Sequence, residues 1–191
     1  IDALAKKLGT DQPLALALWT TEIHEARLMA ARIADPLSMT ERQINQWVSE
    51  CRDYLVNDAV SEFAAQLPSA AEFAARWIKD PGEFTAATGW NVITHLAMAN
   101  TLDPGNAGKL IPRIRGQIHA APNRTRYSMN GALIAIGGSM PELADAALAA
   151  AKAIGTVTVD HGKTGCKTPD AASYMARMIA HAAKRSAKNK A

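Results

Sequence analysis

The sequence predicts an all-α domain spanning 1–191, an α-solenoid of HEAT-like antiparallel helix pairs, and three observations carry that expectation. Hydrophobic residues make up 48% of the chain and aromatics only 5%, the excess being largely Ala, so strong helix formers prevail from end to end. Runs of β-branched residues are nearly absent, and only Thr156-Val-Thr-Val159 alternates like a strand. Capping and breaking residues recur at short intervals, dividing the chain into helices of about 10–17 residues.

The punctuation predicts helices over 2–8, 11–20, 22–34, 40–50, 52–66, 69–78, 83–99, 106–120, 124–136, 140–154 and 169–187. Gly9 closes the first and Gly155 the tenth, where a C-terminus needs a residue that tolerates positive φ. Thr40-Glu-Arg-Gln43, Ser69-Ala-Ala-Glu72 and Ser139-Met-Pro-Glu142 each read as a capping box. Thr168 followed by Pro169 reads as an N-cap with Pro at the first helical position. Pro36, Pro68, Pro104 and Pro122 fall in the breaks. Thr156–Val159 opens a loop running to Lys167, and because one short strand cannot make a sheet, ordered loop is expected there.

Three segments read as variants of one unit: Leu18 to Ile33, Arg76 to Thr85 continuing through Gly89 to Leu96, and Gln117 to Arg126 continuing through Gly131 to Ile136. Each closes one helix, turns through polar residues and opens another with small residues. Their spacing of roughly 40–60 residues suits a degenerate two-helix repeat, whose arrays curve and bind on the concave face.

No apolar run approaches the roughly 18 residues of a membrane span, and no signal-peptide pattern is present, so no membrane is expected. The first residue is Ile, which leads us to expect a preceding native segment. Cys51 and Cys166 form no disulfide framework and fit a reducing cytoplasm. The net charge of +3 hides an asymmetry: residues 1–103 carry 8 Lys/Arg against 14 Asp/Glu, and residues 104–191 carry 13 against 4. Between Asp103 and Glu142 there is no acid, but there are Lys109, Arg113, Arg115, Arg124 and Arg126. Such a surface suits a polyanion, with a solvated basic face as the bland reading. The tail cations Lys184, Arg185, Lys188 and Lys190 read as a helix end that favours positive charge.

Two stretches resemble a known family. Trp19-Thr-Thr-Glu-Ile-His-Glu-Ala-Arg27 is similar to the signature W-x-x-x-x-H-E-x-R of the DNA alkylation repair family, the AlkD-like HEAT-repeat alkylpurine DNA glycosylases. Val159-Asp-His-Gly-Lys-Thr-Gly-Cys-Lys-Thr-Pro-Asp170 resembles a loop of one branch of it, and Pro141 to Gly155 also fits. The resemblance implies a curved solenoid that holds duplex DNA in a basic concave groove. Active members excise cationic purines such as 3-methyladenine and 7-methylguanine, and members without that activity exist. It further implies a Trp and an Asp four residues later at the lesion, matched here by Tyr54 and Asp58. An Arg of active members falls on Ala87, and a Trp and Arg in the pattern N-W-A-L-R fall on Gly131 and Ile134. Three of five lesion-site groups are thus absent by this placement.

The same residues can be weighed without the family. On the helix over 52–66, Leu55, Val56, Ala59, Val60 and Phe63 form one apolar arc, and at ~100° per residue Tyr54 and Asp58 lie opposite it as an i,i+4 pair. The ring and carboxylate could cradle a cation, or be a solvated surface pair. Trp77 and Trp90 read as core, and His24 and His95 as local hydrogen-bonding groups. His161-x-x-x-x-Cys166 lacks two further ligands for zinc. The Gly162–Thr168 loop, running into a helix N-terminus, reads as a candidate anion site. The combined expectation is a DNA-binding monomer that, if catalytic, uses Asp58 and Tyr54 to hydrolyse an N-glycosidic bond, with no cofactor and no metal implied. The alternative is an inactive scaffold for DNA structures or protein partners.

Overall fold

A computed structural model describes the backbone of residues 1–188 and side chains through Lys184. Among the described residues there are eleven α-helices and no strand. They are α1 Asp2–Leu8, α2 Gln12–Thr20, α3 His24–Ile33, α4 Glu41–Glu50, α5 Tyr54–Ala64, α6 Ala70–Trp77, α7 Glu83–Met98, α8 Pro104–Gln117, α9 Asn123–Ser139, α10 Ala144–Ile154 and α11 Ala171–Lys188. Short 3-10 turns at Ile118–Ala120 and Pro141–Leu143 follow α8 and precede α10. Every helix expected from sequence is present, the three repeat-like segments form the α2–α3, α6–α7 and α8–α9 junctions, and Thr156–Val159 is loop.

The boundaries follow the caps. Thr40 and Gln43 form the reciprocal capping box that their spacing predicts. Asp53 accepts from the amides of Leu55 and Val56, which starts α5 at Tyr54 rather than at 52. Pro104 is the first residue of α8 and not a break before it, because Asp103 caps from outside. Gly9 and Gly155 close their helices at φ of 70° and 68°. Two expected capping boxes do not form. Ser69 has φ −102° and ψ 27°, outside the extended region that aims a hydroxyl at the first turn, and makes no cap bond. Ser139 is still helical at the end of α9, and Met140 takes the extended junction instead. Thr168 is no cap either: the cap lies two residues later, where Asp170 Oδ1 accepts from the Ser173 amide at 2.8 Å and α11 begins at Ala171.

The chain forms two compact units, Ile1–Val92 and the part from Ile93 onward, with the division falling inside α7. In the first unit α1 packs on α3, α3 on α5, α2 on α3 and α4 on α5, the paired stacking of a HEAT-like array. Its core holds all four tryptophans, none more than 5% exposed. Trp19 and Trp47 stack at 4.3 Å, and Trp77 stacks on Phe73 at 5.3 Å. One member of the expected apolar arc is misplaced: Leu55, in the first turn of α5, is 46% exposed. Asn57 and Ser61 are wholly buried instead, because this side of α5 faces α7.

The second unit is built around α9, which packs against α8, α10 and α11. Its core is aliphatic, with Ile114, Ile118, Met129, Leu133, Ile136 and Met175 fully enclosed. Gly137 sets how near α10 comes, since a Cβ there would lie 2.7 Å from the Ala147 Cβ.

Candidate nucleic-acid interface

The stretch that most resembles the family signature is a structural clamp. Trp19 is buried at the end of α2, and its indole N–H donates to Glu50 Oε2 at 2.6 Å. Arg27, on α3, lies with its guanidinium 4.8 Å from the centroid of that ring. It donates to the same carboxylate oxygen at 3.2 Å and to the main-chain carbonyls of Glu50 and Trp19 at 3.3 and 3.5 Å. His24 Nε2 lies 3.3 Å from Asp53 Oδ1, the cap of α5. The α2–α3 turn is therefore tied to the end of α4 and the start of α5. Sequence reasoning found Trp19 and Arg27 but missed Glu50 and Asp53, since an acid at a helix end carries no sign of a partner 23–31 residues away.

That clamp fixes the start of α5, which presents Tyr54 and Asp58. Both are exposed on one face of the helix, as the spacing predicted, with Tyr54 43% accessible. Between them, Asn57 points inward and donates to the Phe84 carbonyl at 3.0 Å and the Thr88 hydroxyl at 2.7 Å. Asn91, one turn further along α7, donates to Asp58 Oδ1 at 2.9 Å. A buried polar seam thus holds α5 on α7 and delivers one oriented amide to the carboxylate. Neither Asn57 nor Asn91 was foreseen; the available signal was the i,i+4 pair Asn57/Ser61 on an otherwise apolar helix face.

In the second unit, Lys109 and Arg115 are exposed on α8, and the half-buried Arg113 donates to Gln117 Oε1 at 3.1 Å. Arg124 and Arg126 lie in the first turn of α9, which begins at Asn123 directly after Pro122. As i,i+2 neighbours they diverge. Arg124 lies 4.7 Å over the Tyr127 ring, and Arg126 donates to the carbonyls of Thr158 at 2.8 Å and Ala121 at 2.9 Å. Arg126 therefore holds the 156–170 loop against α9. Asn123 and Asp160 exchange two hydrogen bonds of 2.7 and 2.8 Å, and Asn130 donates to the Pro169 carbonyl at 3.0 Å. His161 lies edge-on to Tyr127 and 3.0 Å from the Thr168 hydroxyl. The loop is fastened at both ends while its tip, Gly162–Lys167, is exposed.

Several sequence expectations change on this geometry. The anion site proposed at the end of the loop is taken by the protein's own anion, since the Asp170 carboxylate caps α11 and the Ser173 contact holds its pKa below the usual value. Among the described residues no three His, Cys, Asp or Glu side chains converge as metal ligands. Ala87 is fully buried, so that matched position points into the core, whereas Ile134, 6% exposed, lines a cleft together with Gly131. Gly131 is half-buried, and a Cβ there would touch only Thr94 Oγ1 at 3.8 Å. Lys184 is exposed on α11; the side chains of Arg185 and Lys188, and all of Lys190, lie outside the described residues.

Comparison with known proteins places this geometry. Residues 1–184 match the family of DNA alkylation repair enzymes. Uncharacterized protein Lin0241 of Listeria innocua is 31% identical over 173 residues, which cover 89% of this chain and 75% of that protein. Uncharacterized protein Lmo0209 of Listeria monocytogenes is 30% identical over 176 residues, with the same coverage of each. A solved structure described as "a new family of proteins related to the HEAT-like repeat DNA glycosylases with affinity for branched DNA structures" superposes with a TM-score of 0.86 at 25% identity. The superposition covers 94% of this chain and 78% of the other.

Proposed function

Because the chain belongs to the DNA alkylation repair enzyme family, we propose that it is a DNA-binding protein that grips duplex segments through Lys109, Arg113, Arg115, Arg124 and Arg126. The observation that carries this reading is the stretch from 104 to 141, which holds those five cations and no acid. Cations on such a surface neutralise phosphates and release counterions without reading sequence. The affinity for branched DNA structures described for the solved relative supports a DNA-directed role here. The two most exposed helix cations give the cleanest test, since Arg126 also holds a loop. Lys109→Glu with Arg115→Glu should weaken binding to a labelled duplex at least ~10-fold whatever its sequence, and lower the salt slope by about 2. Unchanged affinity and slope would refute the assignment.

A second reading, alkylpurine excision, is favoured by one observation: Tyr54 and Asp58 share an exposed face with Asn91 donating into the carboxylate. A cationic purine is already a good leaving group, so a carboxylate that stabilises the developing sugar cation or orients a water can suffice. With no Arg facing outward at 87 or 134, binding without efficient excision is the reading we favour. The measurement that separates the two is release of 7-methylguanine or 3-methyladenine from methylated DNA. Under the second reading Asp58→Asn cuts release at least ~100-fold while binding to undamaged DNA holds.

A further inference from the structure

Helix α11 is seated on α9 by two methionines. At Gly138 an added Cβ would lie 2.6 Å from Met178 Cε and 2.7 Å from Met178 Sδ, and at Gly137 it would overlap the Met175 sulfur. Both thioethers therefore lie flat against the α9 backbone, in seats that exist because neither position carries a side chain. The two seats differ in their access to water. Met175 is fully buried, whereas Met178, one turn further along α11, is half-buried and lines the cleft that Gly131 and Ile134 border. Met98 lines the same cleft from α7 and is 59% exposed. Met29, Met129 and Met140 are in the core at 7% exposure or less, so a dissolved oxidant meets Met98 and Met178 before any of these.

We infer that Met178 is a modification site: a two-electron oxygen donor such as hydrogen peroxide converts its thioether to the sulfoxide, and the sulfoxide releases α11 from α9. In that step the peroxide O–O bond breaks, an S–O bond forms, the sulfur is oxidised by two electrons and the peroxide leaves as water. The product no longer fits its seat. Of the two sulfoxide epimers, one turns the oxygen toward Gly138, where the backbone leaves no space. The other turns it into the cleft, where a strong acceptor needs water at a joint that the thioether keeps closed. Once α11 moves, the Met175 sulfur loses its cover, so Met178 also guards against the second oxidation. A thiol-dependent methionine sulfoxide reductase restores the thioether, which makes the release reversible. Met98, exposed on α7, oxidises first without releasing α11. The inference is independent of the DNA-binding reading.

The test treats the full chain with graded hydrogen peroxide, following each methionine by peptide mass spectrometry and each helix by amide exchange. Met98 should gain oxygen first, Met178 next, and Met175 only in molecules already oxidised at Met178. Those molecules should exchange the amides across 171–184 at least ~10-fold faster, with α5 unchanged. Reductases for both epimers, with dithiothreitol, should restore the slow exchange. Met178→Leu, close in volume and without sulfur, should keep α11 protected and Met175 unoxidised at the same peroxide concentration. Met98→Leu should leave the release as it is in the wild type. Full oxidation of Met178 without faster exchange in α11 overturns the inference, as does oxidation of Met175 ahead of Met178 in the wild type. Met175 oxidising as fast in Met178→Leu as in the wild type, or a release that Met98→Leu prevents, overturns it equally.

Discussion

Glu50 is the most informative place to perturb the first unit. Its Oε2 accepts from Trp19 Nε1 at 2.6 Å and from Arg27 Nη2 at 3.2 Å, and its Oε1 accepts from Gln46 at 2.9 Å. Trp19 is 1% exposed, so Glu50→Ala leaves an indole N–H buried without its acceptor, which costs about 1–3 kcal/mol. The Arg27 side chain is 14% exposed and keeps its two carbonyl acceptors, whereas Glu50 is 32% exposed, so the lost ion pair adds only about 1 kcal/mol after solvent screening. The total expected for Glu50→Ala is about 2–4 kcal/mol. Glu50→Gln keeps an acceptor for Trp19 and loses the charge, for about 1 kcal/mol. Urea unfolding followed by Trp fluorescence is the assay, because all four tryptophans lie in this unit. The midpoint should fall at constant slope, and Arg27→Met combined with Glu50→Gln should show coupling of about 1 kcal/mol. The reasoning fails if Glu50→Ala shifts stability by less than ~0.5 kcal/mol, or if Gln is as damaging as Ala.

Burial pushes the Cys51 thiol up to about 12, while Cys166 is exposed at the loop tip. Iodoacetamide at pH 8 should therefore label Cys166 alone in the native protein and both thiols in urea, as peptide mass spectrometry would read. Gly137→Val should destabilise the second unit by about 1–3 kcal/mol through overpacking against Ala147, measured by thermal melting. Arg126→Ala should leave α9 in place but loosen the loop it holds, seen as faster amide exchange from Thr156 to Lys167 with no change at Ile136. Asp170 has its folded pKa lowered, chiefly by Ser173, so the stability it contributes is present above the unfolded carboxylate value and is lost as pH falls through the folded one. Protection of the Ser173 amide, taken relative to its intrinsic exchange rate, should fall below about pH 4, and Asp170→Asn should remove that pH dependence.

What the sequence determined by itself is the set of helices and much of their order. Ala-rich segments between Gly and Pro breaks have nowhere to go but helix, and local rules such as the Thr40–Gln43 box and the two closing glycines act over a few residues. The exposed pairing of Tyr54 with Asp58 was legible for the same reason, since i,i+4 geometry is a property of any helix. Tertiary structure alone decided which polar residues are buried and whom they meet. Glu50 finds Trp19 and Arg27, Asn57 finds Thr88, Asn91 finds Asp58, and Arg126 finds the Thr158 carbonyl, each across 23–33 residues of chain. Sequence spacing cannot report such pairings, because they depend on how helices pack. The same packing turned Ala87 inward, and left Gly131 and Ile134 on a cleft whose walls come from α7, α9, the 156–170 loop and α11.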